Sequence, residues 1–406
     1  MSAIAIPAPV PESGEAPYPG DLQAPQARPC VRCGSLRLRD FRNFAAADLA
    51  MPEQGVALVG DNGSGKTNLV EGIYYLEAFR SFRGAPDEQL ARFGEAGFFV
   101  SGAFAVGDRT VEVTAGYLRE GRRKRVRVDG VEPERLGDAL GEVGVVVFSP
   151  SDIDLVAGSP AERRRFLDVL LSLNEPGYVD ALQRYKHALR QRNALLRSGA
   201  GSDRHPWDEA LVRWGVPVLE ARRRWSAEYA APFEEYCRAV GDGHGMSLRY
   251  KSSLGAAEPG ALDAEEEGPS LADSFRHGLE RRRHREEELG TTLVGPHRDD
   301  LTLRLVQREG ADVDLRDYGS GGQRRTAAVA LRLVEADTIR ARREREPLVL
   351  LDDIFAELDA GRSRRLMALL GERGAGQLLV TAPKEVDLGV DVALERWTIR
   401  AGAIAA

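Results

Sequence analysis

The stretch Gly60-Asp61-Asn62-Gly63-Ser64-Gly65-Lys66-Thr67 carries the pattern G-x4-G-K-[ST] of a loop that cradles a polyphosphate. Its glycines leave backbone N–H groups free to converge on phosphate oxygens at the positive end of a helix. Lys66 would bring a charge to the β- and γ-phosphates and Thr67 a hydroxyl ligand to Mg2+, and the nucleotide-binding run extends to Asn68. A second pattern, Pro347-Leu348-Val349-Leu350-Leu351-Asp352-Asp353, is an apolar strand ending in two carboxylates. It fits delivery of Asp352 to the metal and of Asp353 to the attacking water. Alone it reads equally as a solvated strand end; beside a phosphate loop the catalytic reading takes precedence. A third, Ser320-Gly321-Gly322-Gln323, opens an amphipathic helix containing Ala328, Leu331 and Val334. Ser320 is its N-cap, and the glycines leave N–H groups exposed to an anion, although a plain capped helix would look the same.

These groups need elements that hold them. The nearly unbroken apolar run Val56-Ala57-Leu58-Val59 predicts a buried strand leading into the loop, and Leu69, Ile73, Leu76 and Phe79 predict a helix leaving it. Residues 97 to 128 alternate as hairpin strands that end at an Asp129-Gly130 turn, and Leu348 to Leu351 form another buried strand. Between about 160 and 240 the spacing is that of long helices, joined by a Gly/Ser-rich hairpin loop at 198 to 203, with Pro217 expected to kink the second arm. An acidic linker at 256 to 268 precedes a further helix through Arg285 and strands near 300 to 315. The expected organisation is a disordered extension (1–30), an N-terminal part of an ATPase head (31–155), a helical lobe with a short antiparallel hairpin (156–290) and the C-terminal part of the head (291–406). The fold class is α/β: a mixed sheet with flanking helices and an antiparallel subdomain.

With all three motifs present, the chain resembles the ABC-type ATPases, and Ala356-Glu357-Leu358-Asp359 resembles their D-loop. Further stretches are similar to the RecF family of recombination-repair proteins: Asp40-Phe41-Arg42-Asn43-Phe44, Gly158-Ser159-Pro160 with Arg163-Arg164-Arg165-Phe166-Leu167-Asp168, Gly295-Pro296-His297-Arg298-Asp299-Asp300-Leu301, and the doubled acid at Asp352-Asp353. The resemblance covers nearly the whole chain after residue 30. It implies ATP and Mg2+ as cofactors, and Thr381 in the place of a switch histidine suits slow hydrolysis. It also implies an ATP-dependent head-to-tail homodimer in which Ser320 of one subunit meets the γ-phosphate held by the other, where Lys66 binds that phosphate and Asp353 activates the water. It places Asn62 near the γ-phosphate and its water, and Arg42 and Asn43 near the adenine or ribose, with a capped loop as the alternative for those two. The implied partners are DNA (duplex, gapped or a single-strand/duplex junction), RecR and RecO, and through them RecA at gaps coated with single-strand-binding protein. No glutamine-loop residue stands out, and Thr381 stands where many relatives place a switch histidine.

Composition restricts the alternatives. The chain has 406 residues, 43% hydrophobic and 29% charged, which is globular composition, and no apolar run approaches membrane-spanning length. Neither a secretory signal nor a disulfide framework is evident, since the cysteines are only Cys30, Cys33 and Cys237; a cytoplasmic, nucleoid-associated protein is expected. Cys30 and Cys33 form a C-x-x-C without a second pair to complete a zinc site. A net charge of -7 gives no global attraction to nucleic acid, so DNA contact would rest on local clusters. The candidates are Arg122, Arg123, Lys124, Arg125 and Arg127, then Arg163, Arg164 and Arg165, and the run Arg281 to Arg283 with Arg285; each could equally be solvated surface. Two other readings share the nucleotide motifs. A transporter ATPase subunit would lack the helical hairpin, and a chromosome-organising protein of the SMC or Rad50 kind needs far longer arms.

Overall fold

The computed structural model describes residues 28–198, 205–241, 243, 245–255, 269–307, 310–372, 376–388 and 394–405. Residues 1–27 of the expected extension, 199–203 of the expected hairpin loop and the linker 256–268 lie outside the described residues.

Strands β1 (Val31–Phe41), β2 (Phe44–Ala50) and β3 (Gly55–Val59) lead to helix α1 (Lys66–Ala78), and β4 (Gly97–Val106), β5 (Arg109–Leu118), β6 (Arg123–Val128) and β7 (Val145–Phe148) follow. Helices α2 (Ile153–Ala157) and α3 (Pro160–Asn174) precede the long arms α4 (Tyr178–Ser198) and α5 (His205–Glu228), then α6 (Ala230–Val240). The chain continues through β8 (Met246–Lys251), α7 (Leu271–Leu289), β9 (Asp300–Leu305), β10 (Val313–Asp314), α8 (Leu315–Tyr318) and α9 (Gly321–Arg343). It closes with β11 (Leu348–Asp352), α10 (Ala360–Glu372), β12 (Leu378–Ala382), β13 (Glu395–Arg400) and β14 (Ala403–Ala405).

The apolar runs become the central sheet, ordered β14-β13-β3-β12-β11-β7, in which β13, β3, β12, β11 and β7 run parallel. A parallel sheet must be covered on both faces, which explains why these strands are apolar without alternation. One face packs on α9 and the helices around it, the other on α1 and the antiparallel sheet. That second sheet, ordered β2-β1-β4-β5-β6, does alternate: Leu36, Leu38, Val100, Phe104, Val113 and Val126 turn inward toward α1, and the intervening residues face solvent. The expected hairpin strands and the Asp129-Gly130 turn are present, with Val128 bridged to Val131.

The arms α4 and α5 have 21 and 24 residues, about 32 and 36 Å at 1.5 Å per residue, and α5 continues through Pro217 instead of ending there. They are fastened to the rest of the molecule by a buried polar network. Arg222 on α5 donates to Asp168 (2.6 Å), to the Tyr178 hydroxyl (3.0 Å) and to the carbonyl of Pro296 (2.7 Å). Strand β8, at the end of the helical region, pairs antiparallel with β9. Among the described residues no helix is long and apolar enough to cross a membrane.

Candidate nucleotide site

In the central sheet β12 lies between β3 and β11, so the carboxyl ends of three neighbouring parallel strands meet at one edge, the place where such sheets take ligands. The phosphate loop leaves β3 there, Asp352 and Asp353 end β11, and Thr381 is opposite Asp352 on β12.

The loop's shape follows from its neighbours. Gly60 lies against the backbone of β13, where an added Cβ would come within 2.3 Å of the Ile399 carbonyl oxygen. Gly65 has φ of 120°, and a Cβ there would be 2.6 Å from the Asn43 side chain. Both positions therefore require glycine. Asn43 pins the loop: its Nδ2 donates to the Ser64 carbonyl at 2.8 Å, and its Oδ1 accepts from Asn68 at 2.8 Å. The Gly402 amide donates to the same Ser64 carbonyl at 2.9 Å. At the tip, Asp61, Asn62 and Gly63 are exposed, and nothing lies within 4 Å of the Cβ position of Gly63.

Inside this cradle Lys66 is 3% exposed, and its ammonium donates to the carbonyls of Gly60 (2.8 Å) and Asp61 (3.3 Å), with Asp353 at 3.9 Å. The Ser64 hydroxyl is buried without a hydrogen-bond partner, an orphaned polar atom in a loop otherwise shaped for anions. Thr67 Oγ1 and Asp352 Oδ1 are 3.0 Å apart. Neighbouring oxygens of an octahedral magnesium shell, with ligands at 2.0–2.1 Å, are separated by about 3 Å, so this pair fits a shared divalent cation. Burial pushes the Asp352 carboxyl up to about 6, and the Asp353 charge adds to the rise, while hydrogen bonds from Thr381 and Thr67 and the nearby Arg83 pull it down. A carboxylate kept partly desolvated in this way gains most from a cation.

Thr381 links the two acids. Its hydroxyl donates to Asp352 Oδ1 at 2.9 Å and accepts the Asp353 amide at 2.9 Å. Asp353 itself has φ of 47°, a left-handed conformation that a non-glycine residue adopts at a cost and that the Thr381 bond helps to hold. Arg83, in the loop after α1, is exposed and near enough to act on Asp352; no motif in the sequence singles it out.

Ser320 caps α9 as expected, with its hydroxyl accepting from the Gln323 amide at 3.2 Å and its own amide donating to Gln323 Oε1 at 2.8 Å. Ser320 and Gly321 are exposed, and nothing lies closer than 3.9 Å to the Cβ position of Gly321. Gly322 faces Arg362, and Arg325 pairs with Glu357 at 2.7 Å, which ties this helix start to the Glu357–Asp359 loop. Among the described residues no hydrogen bond or ion pair joins Ser320 to Gln323 with the phosphate loop. Each motif is thus built and open, and the chain does not close one on the other.

Several expected contacts are placed elsewhere. Arg42 is committed to α1 and the segment before β4, donating to both oxygens of the fully buried Glu71 at 2.7 and 2.9 Å and to the carbonyl of Gln89. Asn43 thus holds the phosphate loop, and Arg42 holds Glu71 of α1. Arg163 is corrected outright as a DNA contact: it is buried, bound to both oxygens of Asp300 at 2.8 Å, and donates to the carbonyl of Gly158. Lys124 turns to the inner face of its strand, where Asp87 lies at 2.6 Å and the Phe79 carbonyl at 2.7 Å. Arg123, Arg125 and Arg127 are exposed on the opposite face, Arg122 pairs loosely with Glu88 at 3.4 Å, and Arg164 and Arg165 are half-buried. Cys33 is buried, with its thiol pushed up to about 12 by burial, and no cluster able to hold a metal through three or more His, Cys, Asp or Glu occurs among the described residues.

Residues 33–394 match the family model described as the RecF/RecN/SMC N terminal domain. A protein of Salinibacter ruber named DNA replication and repair protein RecF is 38% identical over 359 residues, 86% of this chain and 84% of that one. A solved structure of the recombination mediator protein RecF with ATP, of the RecFOR pathway, superposes with a TM-score of 0.83 at 26% identity, covering 94% of this chain and 99% of the other. An Smc head domain from Pyrococcus furiosus shares the fold at a TM-score of 0.51 and 16% identity, over 92% of this chain and 95% of that one.

Proposed function

Because this chain belongs to the RecF branch of the RecF/RecN/SMC N-terminal domain family, the DNA replication and repair ATPases, we propose that it is an ATP-timed clamp on DNA. ATP binds at the phosphate loop, with Lys66 on the β- and γ-phosphates and Asn62 facing the γ-phosphate. Thr67 and Asp352 would hold Mg2+, which would supply neutralisation of the phosphate charge. Asp353, kept in its strained conformation by Thr381, accepts the proton of the attacking water. Ser320 and the amides of Gly321, Gly322 and Gln323 complete the site from a second copy, so closure depends on ATP. A ligand that makes contacts only in the dimer stabilises the dimer by that difference. Hydrolysis removes the γ-phosphate and opens the clamp.

One observation carries this reading. The phosphate loop and the Ser320 cap are each formed, yet Asp61 to Gly63 at the loop's tip and Ser320 and Gly321 at the cap are exposed. A site split in this way makes sense when two copies face each other. DNA is then held through its phosphates by the exposed Arg122, Arg123, Arg125 and Arg127 first, with the half-buried Arg164 and Arg165 at the lobe. Duplex DNA, gapped DNA or a single-strand/duplex junction is the bound form. RecR and RecO are the proposed protein partners, acting toward RecA in the cytoplasm at the nucleoid, and turnover is slow.

Light scattering tests the split site. With Mg-ATP, an Asp353→Asn variant, which binds but does not turn over, should double the 44.4 kDa mass of the protomer. The native protein should do so only transiently, and ADP should leave both monomeric. A monomer in every state would rule out the shared site.

A further inference from the structure

The outer face of the antiparallel sheet has an arrangement that the ATPase cycle does not use. Strand register sets three rows of residues across it. One row runs Arg37, Ser101, Thr114, Arg127; the next Arg39, Phe99, Gly116, Arg125; the third Gly97, Leu118, Arg123. Side chains directly opposite one another share a face of a sheet, so all of these stand on the side away from α1. Two columns of arginine, on β1 and on β6, therefore flank a low floor of glycine, serine and threonine. At strand spacings of about 4.8 Å the columns are about 14 Å apart, and within a column the residues repeat every 6.6 Å or so.

Large apolar side chains stand on this floor. Phe99 is 38% exposed and leans over Gly116, and Leu118 is 55% exposed. Phe93, in the loop leading into β4, is wholly exposed at the same end. Together Phe93, Phe99 and Leu118 form an apolar patch rimmed by arginines at this end of the face, and a patch of that kind marks an interaction site. The columns are unequal. Asp48 pairs with both Arg37 (2.7 Å) and Arg39 (2.5 Å), whereas Arg123, Arg125 and Arg127 have no carboxylate partner among the described residues. β6 is also the free edge of the sheet. Glu112, opposite Ala103, interrupts the basic columns, with Arg32 opposite Ala105 beyond it, while the exposed apolar side chains lie at the end that begins at Gly97 and Leu118.

We infer that this face is a platform for single-stranded nucleic acid, with a base stacked on Phe99 and the phosphates of the strand taken by Arg123, Arg125 and Arg127. Aromatic rings on an open sheet, bordered by arginines, suit unpaired bases because every base offers a π-face. A duplex hides its bases, so it would use the arginines and gain nothing from Phe99. The inference rests on the DNA-binding reading above and adds which part of a gapped substrate this surface takes.

The test is fluorescence anisotropy of the full-length protein with Mg-ATP at one fixed salt concentration, using a labelled oligo-dT strand and a labelled blunt duplex. Phe99→Ala should weaken oligo-dT binding about tenfold, as loss of one stacked base does, and leave duplex binding within about twofold. Phe99→Trp should restore oligo-dT binding, and its indole fluorescence should be quenched on titration with oligo-dT. Arg125→Ala should weaken both probes and reduce the salt slope for oligo-dT by about 0.7. Melting temperatures of the variants exclude misfolding. Unchanged oligo-dT binding by Phe99→Ala, or equal loss for both probes, would overturn the platform while leaving DNA binding intact. If the native protein binds neither probe, the broader DNA-binding reading fails instead. If Phe99→Ala instead weakens ATP binding, the ring serves the nucleotide and the inference is wrong.

Discussion

Replacing Thr381 by valine keeps the volume of a buried side chain, 1% exposed, and removes one hydroxyl. That hydroxyl accepts the Asp353 amide at 2.9 Å and donates to Asp352 Oδ1 at 2.9 Å, with Asp353 Oδ1 as a more distant acceptor at 3.3 Å. A hydrogen bond to a carboxylate contributes about 1.5–3 kcal/mol, and an unpaired buried amide costs about 1–3 kcal/mol. Even if only the lower end of the first figure is expressed in the transition state, kcat for ATP should fall about tenfold. The acid side of the pH profile should also move. Asp352 titrates at about 6, and the Thr381 bond lowers it, so its loss raises that value and lets protons compete with Mg2+ at higher pH. Stopped-assay phosphate release measured from pH 5.5 to 8.5 at several Mg2+ concentrations follows both effects. Thr381→Ser, which retains the hydroxyl, should stay close to native. Native-like kcat and pH profile in Thr381→Val would show that the threonine is only packing, and the argument for its linking role would be wrong.

Two further predictions concern the network that fastens the helical arms. His297 is buried, with Nε2 donating to the Thr292 carbonyl at 3.0 Å and Nδ1 accepting from the Tyr185 hydroxyl at 2.6 Å, so the neutral ring is the one that fits. Burial holds it down to about 4, from 6.5 when unfolded. The unfolded chain therefore binds the extra proton between these values, and stability is complete above pH 6.5 and falls by up to about 3 kcal/mol as pH drops toward 4. Urea unfolding at a series of pH values, with and without His297→Gln, should show that loss in the native protein and less of it in the variant. Arg163→Ala leaves Asp300 without the cation that binds both its oxygens, which should cost about 3 kcal/mol of stability by chemical denaturation. Its DNA affinity, once folded, should match native; a selective loss of DNA binding at unchanged stability would return Arg163 to the interface.

The nucleotide motifs are legible in the amino-acid sequence because they carry their own context. An apolar strand, a glycine loop and a helix of period 3.6 occur in order around Lys66, and the fold has the same succession. The doubled acid at the end of β11 is equally plain. What escapes sequence reading depends on neighbours distant in the chain. A run of arginines on a helix cannot reveal that Arg163 points inward, because its partner Asp300 lies 137 residues away. Arg42 similarly meets Glu71 only once β1 and α1 are packed together. The Thr381 bridge follows from β12 lying between β3 and β11, a sheet order that strand patterns alone do not encode. On β6, by contrast, the period-two alternation of a strand already separates Lys124 from Arg123, Arg125 and Arg127, so treating the five basic residues as one cluster overlooks a signal that the sequence contains.

The most direct test of the clamp is DNA binding by a Ser320→Arg variant, since Ser320 is exposed, caps its own helix and contacts no nucleotide-binding residue of its own chain outside that cap. Anisotropy of a labelled gapped duplex is measured at one salt concentration with and without Mg-ATP, together with ATP binding and thermal stability. The native protein should bind DNA only with ATP, and the variant should bind ATP normally, stay folded and fail to hold DNA. ATP-dependent DNA binding that survives in the folded variant would contradict the clamp.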